Sequence, residues 1–494
     1  MKRERRRVAS RRSVKEACPF CRRTISLLLV AIAVSVLARP AGGEPAPPRG
    51  SEGISLRSIR GSNEMIFSRD VEDTLDELEN WFDVSIDMGE VTAGFRYQMY
   101  ETSARGANES AGFSQRFAEF RRDWLTLRAG NYYETFGRGL VLRVFEDREI
   151  RQETSLDGVA LEARLEDFMD LKMTGITGRS GDDFVRGGDV EATLLPGVKL
   201  GAAYAMSNRS YTDRTEMGGI RSDVSHGPLG VYAEFATRDG FHEFEGSGFY
   251  LSTTLSVPKL GVVAEYKDYD DFEFAYHNPP AALRDHSVNL LARHPRVVQP
   301  DDEQGFQVEA TYSPSFSTTI IGSDSYTAQH SGDAPFHEQY LEIRQDIGDR
   351  LFTILAGARS REIPSGRDEA NAVYRYTGAG ELDFRITDER SISLIYEHQL
   401  TESAYGDVTD QYGVVGFSCC SILMFSLQAE RTSEKDPVTD KDFWLMGSLG
   451  LKFARRHDVS LSVGTRRSRF ICSSGMCRFE PKLEGAELRI VSTF

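Results

Sequence analysis

The chain has 494 residues, 27% of them charged, and a formal net charge of −16. A chain this acidic repels a phosphate backbone, which sets nucleic acid aside as a partner. Beyond the N-terminal region no apolar run reaches the roughly 20 residues of a helical membrane span, so a membrane crossing here has to be made by strands.

The first 43 residues read as an address rather than as fold. Arg3–Arg23 is basic, Thr24–Ala38 is apolar, and Ala38, Ala41, Gly42 and Gly43 are small, the order of a cleaved secretory signal peptide. Its loss removes 11 Lys and Arg against 2 Asp and Glu, taking the net charge from −16 to −25. Residues 44–60, opened by the Pro- and Gly-rich stretch Glu44–Gly53, are expected to be a flexible periplasmic leader.

From 61 to 494 the chain alternates apolar and polar residues with period two, the pattern of strands with one lipid-facing and one watery face. Tight turns are expected at Gly89–Glu90, Glu166–Asp167, Leu195–Gly197, Val257–Lys259, Ser313–Ser315, Gly348–Asp349, Asp388–Glu389 and Arg455–His457. Longer polar loops are expected between them, among others at 102–114, 179–186, 208–216, 238–245, 324–336, 361–370, 401–410 and 432–440. Val71–Phe82 has apolar residues at helical spacing but reads as a loop and the start of a strand. Counting back from Phe494 as a periplasmic end puts every tight turn on the periplasmic side and every longer loop outside. The prediction is an all-β antiparallel up-and-down transmembrane barrel of about 24 strands, within a range of roughly 18–26. Its first strand is expected near Glu64–Ser68, which leaves no room for an N-terminal plug domain. In the closing strand, Leu488, Ile490 and Phe494 share one face, a terminal pattern resembling the signal by which the barrel-assembly machinery takes its clients.

Two segments break the alternation, and both are expected to fold inward. Near 132–154, Gly137 and Gly139 permit a bend, and Glu134, Arg138, Arg143, Glu146 and Arg148 supply charge of both signs that would narrow a passage. Near 271–303 lies the longest loop, with Asp285, His286, Arg293, His294, Asp301, Asp302 and Glu303 as further constriction candidates. Pro279–Pro280 and Pro295 bracket Ala281–His294, predicted as a short helix. Such a helix would set His286, Leu290 and His294 on one face, a spacing that suits two imidazoles on one metal ion. With no His-Glu-x-x-His pattern, a pore-lining charge network is the preferred reading, with no metal and no cofactor. Cys472 and Cys477, in an outer loop beyond the reducing cytosol, are expected to form a disulfide. The state of Cys419 and Cys420 at a periplasmic turn stays open.

No Gly-x-Ser-x-Gly elbow, Walker loop or dinucleotide fingerprint is present, and the chain is not expected to be an enzyme. The leading expectation is a channel or partly plugged pore for small polar solutes, seated in outer-membrane lipid. The rival is a non-conducting barrel that anchors a partner in secretion or envelope assembly. An outer-membrane enzyme comes third.

Two blocks resemble a known family. Gly130–Arg148 resembles the pattern G-N-x-Y-E-x-F-G-x-G-L-x-L-R-x-x-E-x-R, and the central loop resembles Y-N-N-P-P … H … L-L-x-R-H … D-D-E-x-G-F-Q, with His277 where the first Asn is usual. Both patterns belong to an uncharacterised family of bacterial outer-membrane barrels, catalogued as a domain of unknown function. The resemblance implies a barrel and an outer-membrane location, and it carries no substrate or catalytic residue.

Overall fold

The computed structural model describes residues 56–494 apart from 105–108, 149, 211–212, 240–244, 294–301, 437–439 and 474–475, together with the side chains outside 209–213 and 471–477. The expected signal peptide and most of the leader lie outside the described residues. The first strand, Ser58–Asp70, begins within the stretch expected as leader.

Among the described residues, 24 strands form one closed sheet, each antiparallel to its neighbour. The first strand closes the ring by pairing with the last, Leu483–Thr493, with Met65 opposite Ile490. The strand number and the antiparallel plan are those the sequence predicts. At the end that carries the termini, connections such as Pro196–Gly197, Pro258–Lys259 and Asp388–Glu389 take two residues. The long segments 133–155, 271–301 and 467–482 all leave the opposite end.

Three of the expected loops are instead ladder. Pairing runs through 179–186 up to Ser180 opposite Asp183. It runs through 208–216 up to Ser210 opposite Asp213, and through 401–410 up to Ser403 opposite Gly406. Polar side chains mark where a strand leaves lipid, not where its backbone pairing stops. The expected turn at Ser313–Ser315 falls two residues later, because Ser315 still pairs with Thr318.

Period two sorts the faces. In Phe336–Ile347, Leu341 is 53% exposed on the outside, whereas Tyr340 and Glu342 are 5% and 1% exposed and point into the lumen. The main apolar core sits inside the barrel, where Phe136, Leu140, Val141, Leu142 and Val144 of the first long segment meet lumenal wall residues.

Candidate functional site

The first segment folds back into the bore as a hairpin, Glu134–Phe136 paired with Leu142–Val144. Its tip needs Gly137 and Gly139, whose φ of 58° and 93° a side chain resists. A Cβ on Gly137 would lie 2.6 Å from the Glu234 carboxylate, and one on Gly139 would lie 2.8 Å from the Asn278 carbonyl. The wall is shaped to receive this hairpin. A Cβ on Gly187 would stand 3.1 Å from the Phe136 ring, and one on Gly219 would stand 2.7 Å from Val141. Ala203, Ala205 and Ala236 complete this small-residue seat. Burial of each large apolar side chain contributes about 1.5–3 kcal/mol, so this half of the plug is held by packing.

Charge pins the hairpin at both sides. Glu234, 2% exposed, accepts the Arg138 N–H at 2.9 Å and the Tyr232 hydroxyl at 2.5 Å. Across the bore, Arg96 donates to Asp83 and to Glu146, each at 2.6 Å. Arg148 reaches Glu146 at 3.0 Å, Asp83 at 3.0 Å and Glu64 at 3.3 Å, while Arg151 pairs with Glu79.

The second segment lies against the first. The Arg143 N–H donates to the Tyr276 carbonyl at 2.8 Å and the Asn278 N–H to the Gly139 carbonyl at 3.2 Å. His277 locks the junction: its Nδ1 lies 3.2 Å from the Leu140 carbonyl, and its Nε2 accepts the Phe274 N–H at 3.2 Å. These partners require a neutral ring protonated at Nδ1. Burial pushes the imidazole down to about 4. Close by, Lys267 and Glu303, both fully buried, pair at 3.2 Å.

From Pro280 onward the same segment becomes a strap along the inner wall. Arg284 pairs with Glu309 and stacks 4.7 Å above the Tyr340 ring. His286 Nε2 lies 2.6 Å from Glu338. Glu397 accepts the N–H of Asn289 at 3.0 Å and of Leu290 at 2.8 Å. Arg293 makes a two-pronged contact to Glu430, 2.5 Å on each side. Val288 and Leu291 add an apolar foot on Tyr340, Ala356, Ala358 and Ala379. The predicted helix over Ala281–His294 is confined to Asn289–Ala292. Ala282 at φ 49° breaks it, and Arg284 and His286 spend their side chains on separate wall carboxylates. His286 therefore faces Glu338 rather than a second imidazole, and His294 and Asp301 lie outside the described residues. Among the described residues no three His, Cys, Asp or Glu side chains gather as metal ligands.

The other predicted site residues take varied places. Glu134 is half-buried, and burial raises its carboxyl above the usual range. Arg138 is exposed and stacks 5.0 Å over Tyr232, whereas Arg143 lies 4.9 Å from the Phe145 ring. Asp285 is exposed. Asp302 is not at a constriction. One residue from the lumenal Glu303, it points outward at the rim and takes His330 Nδ1 at 2.7 Å, while Nε2 of that ring meets Asp268 at 2.9 Å. Cys472 and Cys477 stand opposite each other at a hairpin tip, but their side chains, and so the expected disulfide, lie outside the described residues. Cys419 and Cys420 are free thiols with their sulfurs 2.9 Å apart. The clamp carboxylates Glu234, Glu309, Glu338, Glu397 and Glu430 were not singled out by motif, and their one sequence signal is an acidic side chain at an inward strand position. A lumenal cleft of about 410 Å³ remains toward the terminal end, lined by Arg60, Ser62, Asp83, Ser85, Gln115 and Phe117.

Fold and site together define a β-barrel of the outer-membrane type whose bore is occupied by its own loops. The chain belongs to a family of unknown function (DUF6029), whose model matches residues 62–494. No curated protein matches it in sequence. Among solved structures it is similar to the P pilus usher (PapC) translocation pore, at 10% identity over 88% of this chain and 98% of that one, with a TM-score of 0.50. It is also similar to the siderophore receptor PirA from Pseudomonas aeruginosa, at 10% identity over 88% of this chain and 80% of that one, with a TM-score of 0.48. At such identity the likeness to the usher pore speaks for the barrel alone.

Proposed function

We propose that this protein is a partly plugged pore of the bacterial outer membrane, exported through a cleaved signal peptide and passing small polar solutes. The observation that carries the reading is the division of the plug into two unlike halves. The hairpin at 133–155 is packed on an apolar seat and acts as a fixed constriction. The strap from Arg284 to Arg293 is pinned to wall glutamates by two arginine pairs, the His286–Glu338 contact and two N–H bonds to Glu397, and it is the half that can leave. A wall lined with carboxylates favours cations and neutral solutes over anions. Lipid and the barrel-assembly machinery are the partners this reading implies, and no enzymatic step is assigned.

A non-conducting anchor is the second reading, favoured by the apolar packing of the hairpin, which resists removal. Planar-bilayer recordings separate the two. The full barrel is expected to open rarely, and deletion of residues 279–298 is expected to give steady, cation-selective current. A folded barrel silent before and after deletion overturns the pore and leaves the anchor.

A further inference from the structure

Glu309, Glu338, Glu397 and Glu430 stand on four different strands, all facing the lumen. Glu309 and Glu430 each pair with an arginine of the strap, Glu338 meets the His286 ring, and Glu397 accepts two of the strap's backbone N–H groups. We infer that these carboxylates form a recognition site for a small solute bearing guanidinium or amine groups, a site the chain's own Arg284, His286 and Arg293 now occupy. The inference rests on the pore reading, in which the strap is the displaceable half.

Three features of the wall fit such a ligand. First, Glu430 already binds a guanidinium in the two-pronged manner that matches a planar fork to a carboxylate. Arg467 stays behind when the strap leaves, 3.0 Å from Asp410, 3.5 Å from Glu430 and 3.7 Å from Asp436. Glu430 would then share Arg467 with Asp410 and lose the guanidinium that matches it in two prongs, a place that a ligand cation can take. Second, the wall register runs Ala379, Glu397, Tyr412, Glu430, Trp444 as one transverse row. Glu430 is thus flanked by aromatic faces, and Arg467 already lies 5.3 Å over the Trp444 ring. Third, Gln399 is two residues from Glu397 on the same face and only 1% exposed. Its Nε2 donates to Thr377 at 2.8 Å and to the Leu290 carbonyl at 3.3 Å. Its Oε1 has no hydrogen-bond partner among the described residues. A buried acceptor left over beside a carboxylate is the complement of an ammonium or guanidinium N–H. The small residues Ala356, Ala358 and Ala379 leave room for the ligand's carbon chain where Val288 and Leu291 now sit.

Agmatine, which carries one amine and one guanidinium, is the probe. Equilibrium binding is measured on the purified full-length barrel, with folding checked by heat-modifiable migration in SDS. Arg284→Gln with Arg293→Gln should bind agmatine at least tenfold more tightly than the unaltered protein, and adding Glu397→Gln with Glu430→Gln should abolish the gain. A folded Arg double variant with no gain, or with a gain indifferent to the Glu changes, overturns the site. Should that variant not fold, Leu290→Cys decides. Agmatine, but not glutamate, should speed its labelling by an impermeant maleimide several-fold, read on the tryptic peptide spanning residues 285–293, and an unchanged rate overturns the site. Conductance of the same proteins separates the two claims. Binding without current leaves the site and removes the pore, whereas current without binding removes the site alone.

Discussion

His277 is the residue on which the plug's response to acid turns. In the unfolded chain the imidazole takes up a proton near 6.5, whereas in place it does so only at about 4. Between these values the opened state binds a proton that the packed state refuses. The stability His277 contributes is therefore complete above pH 6.5 and is lost as pH falls toward 4, about 3 kcal/mol in all. The protection factors of amides over 272–278 should fall between pH 7 and pH 4.5, and His277→Gln should flatten that dependence. An unchanged profile in the variant would place the acid response elsewhere. Gly248 tests the seat at the same scale, since a Cβ there would come 2.5 Å from the Phe272 ring. Gly248→Val should cost about 1–3 kcal/mol and raise exchange over 270–278 at least tenfold. Full protection in the variant would show that the ring has another place to go. The glycines of the tip were legible in the sequence as a bend; the glycines of the seat were not. A glycine in a strand says only that something approaches, and what approaches Gly187, Gly219 and Gly248 comes from far along the chain.

At the scale of elements, the two halves of the plug should answer differently to the same insult. Arg293→Gln removes one of the two cations on Glu430, leaving Arg467 to hold it, at a cost of up to about 3 kcal/mol. Exchange over 286–293 should rise ten- to a hundredfold while 136–144 keeps its protection, because the hairpin rests on Ala203, Ala205 and Met217 and none of its charged contacts involves Arg293 or Glu430. Equal acceleration in both would mean that the plug moves as one body. The strands were legible because period two and tight-turn chemistry are local. The inward course of the long segments followed only from Gly137, Gly139 and the mixed charge. Which wall residues they touch was not legible, since Arg284 and Glu309, or Arg293 and Glu430, are brought together by closure of the barrel and not by spacing. The helix over 281–294 failed for the same reason: wall carboxylates compete for the side chains and N–H groups that a helix would have arranged by itself.

For the whole molecule the decisive contact is the seam. Phe494 exchanges both backbone hydrogen bonds with Gly61, at 2.9 and 3.0 Å, and its ring stacks on Phe82 with centroids 6.1 Å apart. Phe494→Ala should weaken closure by about 1–3 kcal/mol and lower the urea midpoint of the barrel refolded into liposomes. An unshifted midpoint would leave Phe494 as a terminal signal with no structural share. The wall seat bears on how such a ring comes together. Gly187, Ala203, Ala205, Gly219, Ala236 and Gly248 all lie in the chain between the two segments they receive. Residues 130–278 thus hold hairpin, seat and junction in one uninterrupted run, whose contacts close far shorter loops than the pairing of Met65 with Ile490. Loop-closure entropy favours the nearer contacts. A curved half-sheet wrapped around its own hairpin should therefore form first, and the two ends of the chain should join last. Pulse-labelled hydrogen exchange during refolding should protect 136–144 before 62–70; the reverse order would show that the ring closes empty and is filled afterwards.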